Sequence, residues 1–183
     1  MYPFVPTRVF LTRGQGRHRE KLVSFEKALR DAGISPFNLV RVSSIFPPGC
    51  RLVAREAGLR LLRPGQIVFL VLSENATDEP FRLISASIGL AVPSDPTCYG
   101  YLAEHDGHGE SEREAGLYTE ALAAEMLATK LGRTLRPGRP GRGGETTYRL
   151  SERLTVRTRS ISQTAVGGKG VWTTAVAAAV LIP

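Results

Sequence analysis

An α+β domain is the fold that the sequence predicts, on three observations. The chain of 183 residues is long enough to bury one sizeable core and short for two. Runs with strand character are separated by two stretches whose apolar residues recur at helical spacing. Their order, β α β β β α β β, suits sheets layered with helices.

The elements follow in turn. Val9, Phe10 and Leu11 form a short apolar run before Thr12, Arg13 and Gly14, which reads as a buried strand followed by a turn. Over residues 18–32, Leu22, Phe25, Ala28, Leu29 and Ala32 share one helical face, and Gly33 stands where a helix stops. Residues 37–45 read as a strand through Leu39, Val40, Val42 and Ile45, interrupted by Ser43 and Ser44 and ended at Pro47, Pro48 and Gly49. Residues 67–72 form a continuous apolar strand, and residues 82–92 a second packed one. Ser111 with Glu114 forms a capping box, opening a helix whose apolar positions include Ala115, Tyr118, Leu122, Met126 and Leu127 and which should end near Gly132. The Gly/Pro/Arg segment 137–144 reads as an exposed loop, and residues 146–158 and 171–182 as the last strands.

Composition removes several function classes. No apolar stretch nears the ~20 residues of a membrane helix, and the amino terminus lacks a basic region followed by an apolar one; a cytoplasmic chain with no membrane partner is expected. Cys50 and Cys98 are too few for a disulfide framework or a zinc ligand set. The net charge of +7 invites a nucleic-acid partner, but eight of the 24 basic residues fall between Arg133 and Arg159 with almost no aromatic residues to stack bases. We therefore expect no nucleic-acid partner. His105, Asp106 and His108 lack a further well-spaced ligand, so they read as a polar loop and no metal is expected. Gly14-Gln15-Gly16 lacks the third glycine of a dinucleotide turn, and no Gly-x-Ser-x-Gly elbow is present.

The segment from Asn38 to Gly49 stands out. By pattern alone it is a strand with two hydroxyls near its end and a proline stop. Its chemistry permits more. A serine hydroxyl held against the preceding carbonyl can attack it and shift the acyl group from nitrogen to oxygen, if the turn is constrained and a donor meets the developing oxyanion.

The run from Ala32, Gly33, Ile34, Ser35, Pro36 and Phe37 through Asn38 to Gly49 resembles the processing-site signature of pyruvoyl-dependent arginine decarboxylases. Residues 64–68, 85–93, 99–104 and 172–179 resemble further blocks of that family, and the likeness runs from about Thr7 to Ile182. The resemblance implies that Ser44 attacks the Ser43 carbonyl. The ester then undergoes β-elimination to dehydroalanine, which hydrolyses to a covalent pyruvoyl group and ammonia. The single domain 1–183 would be cut into a β chain, 1–43, and an α chain, 44–183. Asn38 would serve processing, as an amide that positions or stabilises the oxyanion. In the mature enzyme the pyruvoyl group would take up the arginine amine as a Schiff base and replace pyridoxal phosphate as electron sink. Glu104 would return a proton to the substrate, giving agmatine after CO₂ leaves.

Glu26 would face the guanidinium, whose planar fork a carboxylate can meet with two hydrogen bonds, and Leu29 would line the aliphatic stem. By periodicity alone Glu26 is a solvated carboxylate on the helix flank, Leu29 a core leucine and Glu104 a surface acid at a strand end. An αββα sandwich, a trimer of αβ units and active sites between neighbouring subunits are likewise implied by the resemblance, not by periodicity. Segment 136–144 looks like an insertion relative to the family. Two rivals stand beside this reading. One is a pyruvoyl decarboxylase for another amino acid. The other is a non-catalytic homologue or basic binding protein that keeps Ser44 as serine.

Overall fold

The computed structural model describes residues 4–135, 139–140, 146–149 and 154–183. It is one α+β domain, mostly strand. In chain order the described elements are β1 (Arg8–His18), α1 (Lys21–Asp31), β2 (Asn38–Arg41), β3 (Ile45–Phe46), β4 (Arg51–Leu52), α2 (Arg55–Leu59), β5 (Ile67–Thr77), β6 (Leu83–Pro93), β7 (Gly100–His108), α3 (Glu112–Lys130), β8 (Arg139–Pro140), β9 (Thr146–Arg149), β10 (Thr155–Val166) and β11 (Trp172–Ile182).

The strands form two sheets, β2-β5-β11-β1-β4 and β3-β7-β6-β10-β9-β8. Pairing is antiparallel except for β1 with β4 and β2 with β5. The centre of the first sheet is β11, every residue of which is buried except Trp172. Its alternate side chains enter two different apolar clusters. Ala175, Ala177, Ala179 and Leu181 join Ile84, Ile88, Leu90 and Leu102 of the second sheet. Val176, Ala178 and Val180 join Ala28, Leu29 and Ala32 of α1. A third cluster sets Ala91, Ala103 and Val156 of the second sheet against Ala123, Ala124 and Leu127 of α3. The two-residue period of a strand is what lets one segment serve two clusters.

Two expectations need correction at β1 and β7. The run Val9-Phe10-Leu11 does not end at Gly14; β1 continues to His18 in unbroken register with β11. A Cβ on Gly14 would lie 2.3 Å from the Ala28 carbonyl oxygen and one on Gly16 2.1 Å from that of Ser24, so these glycines let α1 lie directly on the strand. The His105-Asp106-Gly107-His108 segment is not a loop either. It is the end of β7, paired with β6.

Other boundaries differ less. α1 begins at Lys21 and ends before Gly33, which has φ +77°, as a left-handed stop requires. The single strand expected over residues 37–45 is two, β2 and β3, in different sheets. Residues 146–158 likewise contribute to two strands, β9 and β10. The capping box of α3 is present in both its bonds and the helix reaches Lys130. Its buried face is Ala115, Thr119, Glu120, Ala123, Ala124 and Leu127, however, while Tyr118 is exposed. Of the segment read as a loop, Arg139 and Pro140 pair with Thr147 and Thr146; its other residues lie outside the described ones.

Candidate active site

The Ser43–Ser44 bond lies where the chain leaves one sheet for the other. β2 is the edge of the first sheet and β3 the edge of the second, so residues 42–44 bridge them. The bridge is pinned on both sides. The Val42 N–H donates to the Leu70 carbonyl at 3.0 Å, and the Leu102 N–H donates to the Ser44 carbonyl at 2.8 Å. Between these, the Ile45 N–H donates to the Ser43 carbonyl at 3.0 Å. A bond from residue i+2 to residue i closes a three-residue turn centred on Ser44. Ser43 is exposed and Ser44 half-buried.

Downstream, the Cys50 N–H donates to the Pro47 carbonyl at 3.2 Å and Gly49 has φ +67°. Pro48 then Gly49 with positive φ is the geometry of a type II turn. The turn fixes the chain just beyond the bridge, and Pro47 and Phe46 are buried. An apolar cavity of about 320 Å³ adjoins Ser43, lined in part by Val42, Ile45, Pro47 and Phe69.

Glu104 is carried to this bridge by strand register. Ile45 pairs with Tyr101 and Phe46 with Gly100, and the Leu102–Ser44 bond continues the ladder, so the bridge lies along residues 102–104 of β7. Glu104 is exposed at this edge. Desolvation nonetheless raises its carboxyl above the ordinary glutamate value, while the Arg41 guanidinium pulls it back down. Arg41, the last residue of β2, is itself ion-paired with Glu74 of β5. The structure therefore joins Ser43, Ser44 and Glu104 with Arg41 and Glu74. Those last two carry no motif. Arg41 could have been suspected only from its place two residues before Ser43, in a run otherwise of apolar side chains.

The remaining candidates stand apart within the single chain. Asn38 is at the other end of β2, about 10 Å of strand before Arg41, and its amide donates to the Gly65 carbonyl at 2.7 Å. Glu26 is half-buried on α1 and accepts from Arg30 Nε at 2.6 Å. Leu29 is buried in the cluster beneath α1. Beside that helix a cavity of about 310 Å³ is lined by Lys21, Leu22, Phe25, Glu74 and Thr174, so Glu74 borders both the Arg41 pair and the α1 groove. His105 faces α3, with its Nε2 2.8 Å from Glu110 Oε1 and its ring against Tyr118. Among the described residues, no three His, Cys, Asp or Glu converge as metal ligands, and no helix is long and apolar enough to cross a membrane.

Comparison with known proteins places the chain in a family. The family model described as pyruvoyl-dependent arginine decarboxylase matches residues 8–183. A relative from Chlorobium limicola, named a probable pyruvoyl-dependent arginine decarboxylase, is 53% identical over 180 residues, covering 98% of this chain and 99% of its own length. The pyruvoyl-dependent arginine decarboxylase of Nitrosopumilus maritimus is 46% identical over 183 residues, the full length of both chains. Methanosarcina acetivorans has a relative named pyruvoyl-dependent arginine decarboxylase 2, which is 50% identical over 179 residues, 97% of each chain. With a family match across residues 8–183 and relatives this similar over nearly the whole length, the chain belongs to the pyruvoyl-dependent arginine decarboxylase family.

Proposed function

We propose that this chain cuts itself between Ser43 and Ser44 and, as the resulting two-chain enzyme, decarboxylates L-arginine to agmatine and CO₂. The observation that carries the proposal is the three-residue turn at Ser44. The carbonyl to be attacked already accepts the Ile45 N–H. A donor there draws electron density onto the oxygen and favours the tetrahedral oxyanion that forms when Ser44 Oγ adds to the Ser43 carbon. The ester that follows is relieved by loss of the α-proton of residue 44, which expels the Ser43 carboxylate. Water then replaces nitrogen as ammonia and leaves a ketone at residue 44.

The site fits the group this would produce. A pyruvoyl group supplies an electron sink for the bond to CO₂, through a ketone conjugated to its neighbouring carbonyl. That neighbouring carbonyl belongs to residue 44, and the Leu102 N–H donates to it at 2.8 Å. The oxygen on which negative charge would collect therefore has a fixed donor. Glu104, held protonated to higher pH by desolvation, is the acid that delivers a proton to the substrate α-carbon. Val42, Ile45 and Phe69 line the cavity beside Ser43 and supply the apolar surroundings in which a departing carboxylate is poorly solvated.

For the substrate, Glu26 meets the guanidinium and Leu29 the aliphatic stem. Glu26 must then exchange its Arg30 partner for the ligand. Neither reaches Ser44 by any bond of the single chain, which favours a site shared between neighbouring subunits of a trimer. The three apolar clusters support the αββα layering of each subunit. Asn38 is assigned to processing, which requires its amide to leave the Gly65 carbonyl; Asn38→Ala should slow the cut.

Intact mass spectrometry under denaturing conditions tests the proposal. Two fragments are expected, 1–43 and 44–183, the second lighter than a serine-started chain by the loss of ammonia, and Ser44→Ala should remain one chain. An uncut wild-type chain with no arginine turnover would favour a non-catalytic homologue. A cut chain that turns over another amino acid in preference would favour the other rival.

A further inference from the structure

Two strands along the second sheet from β7, to which the Ser44 bridge is bonded, β10 carries charge where its pattern calls for apolar side chains. Ile161 and Ala165 belong to the cluster between the sheets, and the two-residue period puts Arg157 and Arg159 on the same face. Their register partners on β6 are Val92 and Leu90, both of which pack in that cluster. The apolar row of β10 therefore ends in two guanidiniums. β4, the edge strand of the first sheet, adds Arg51.

These three arginines line one cavity of about 420 Å³, walled by Phe46, Cys50 and Leu90. No Asp or Glu lines it. Arg13, Arg30, Arg41, Arg55 and Arg82 each have a carboxylate within ion-pair distance; among the described residues Arg51, Arg157 and Arg159 have none. A second cavity of about 360 Å³ adjoins it, sharing Leu52 and Arg159. Its Arg55 is already engaged by Thr12 and the Ala32 carbonyl.

Arg51, Arg157 and Arg159 are exposed, and three like charges lining one cavity repel one another. A multivalent anion removes that repulsion, and each planar guanidinium can offer it two parallel N–H donors. We propose that this cavity binds a small phosphate-bearing anion. It shares no lining residue with the cavity beside Ser43. The chain that leaves Ser44 does reach it, since Phe46, Cys50 and Arg51 all contribute to its wall. A bound anion would thus brace the segment following the bridge.

Isothermal titration calorimetry of the purified wild-type protein, at ionic strength held constant with KCl, tests this with pyrophosphate, inorganic phosphate and glycerol 3-phosphate as probes. Saturable binding near one site per chain is expected, weakened about tenfold or more by Arg157→Gln with Arg159→Gln and unchanged by Arg82→Gln, whose arginine lies outside the cavity. Tighter binding of glycerol 3-phosphate than of inorganic phosphate would identify an organic phosphate as the ligand, and the reverse order a free inorganic one. If the double variant does not fold, Arg51→Gln, on the exposed edge strand, should alone weaken binding severalfold. No saturable heat at millimolar probe would overturn the proposal. So would affinity equal in wild type and cavity variants, or an equal loss in Arg82→Gln, which would mark general charge attraction.

Discussion

Glu104 shows how one side chain's role depends on two opposed surroundings. Desolvation raises its carboxyl and the Arg41 cation lowers it. If Glu104 is the proton donor proposed above, it works only while protonated, and turnover falls as pH rises through its pKa. Removing the cation leaves the desolvation unopposed and moves that fall to higher pH. We expect Arg41→Met, made with Glu74→Gln so that no lone carboxylate remains at the broken pair, to shift the alkaline limb of the kcat/KM profile upward. Glu104→Gln should be cut normally yet lose about 10²-fold or more in kcat. An unmoved limb in the first variant would remove Glu104 as the titrating acid. The two cysteines invite a simpler comparison. Burial pushes the Cys50 thiol up to about 11, against a weaker lowering by the Arg51 N–H, whereas Cys98 is only half-buried. The thiolate is the nucleophile, so iodoacetamide at pH 8 should label Cys98 and spare Cys50 in the native protein, as peptide mass mapping would show.

At the scale of elements, close backbone approach governs how helices meet sheets. A Cβ on Gly89 would lie 2.2 Å from the Thr119 carbonyl oxygen, which is helix backbone and cannot rotate away. One on Gly116 would meet the Ser160 hydroxyl at 2.7 Å, and a hydroxyl can turn. Gly89→Ala should therefore cost about 3 kcal/mol of unfolding free energy. Gly116→Ala should stay within about 1 kcal/mol, its contact offset by alanine's better helix propensity. Denaturant melts would compare them; equal losses would mean that α3 lies less tightly on β6 than these distances state. The same physics explains what was hard to read in the sequence. Thr12, Arg13 and Gly14 looked like a turn because glycine is a common turn residue, yet here Gly14 and Gly16 admit α1. His105 to His108 looked like a loop because polar residues at a strand end have no apolar period, although Ser73 holds the His105 carbonyl at 2.7 Å and Asn75 that of Gly107 at 2.8 Å. The capping box of α3 and the Gly33 stop were legible because each is a local device, complete within a few residues. The roles proposed for Ser43, Ser44 and Glu104 come from the family likeness. Arg41 and Glu74 were not legible, since 33 residues separate them and only the pairing of β2 with β5 brings them together.

The whole molecule poses the question of where Glu26 and Ser44 meet. Within one chain, Ser44 lies on the bridge between the sheet edges and Glu26 on α1, and among the described residues no hydrogen bond or cavity joins the two. If the substrate spans them, a ring in which each subunit offers its bridge to the next one's helix would complete every site, and three identical heterologous contacts close such a ring. A trimer has a mass near three times 19.9 kDa, which analytical ultracentrifugation reads directly. Shared sites make a sharper expectation. Ser44→Ala retains a sound Glu26 but no ketone, and Glu26→Ala is cut normally but lacks the guanidinium partner; each alone should be nearly inactive on arginine. In trimers co-assembled from equal amounts of the two, random order brings an intact bridge against an intact Glu26 at about one site in four. Co-expressed variants should thus recover about a quarter of wild-type activity per chain, whereas variants mixed after separate assembly should recover none until subunits exchange. A co-assembled trimer that stays inactive would mean that Glu26 serves the Ser44 of its own chain, and the groove beside Leu22, Phe25 and Glu74 would then have to carry the substrate within one subunit.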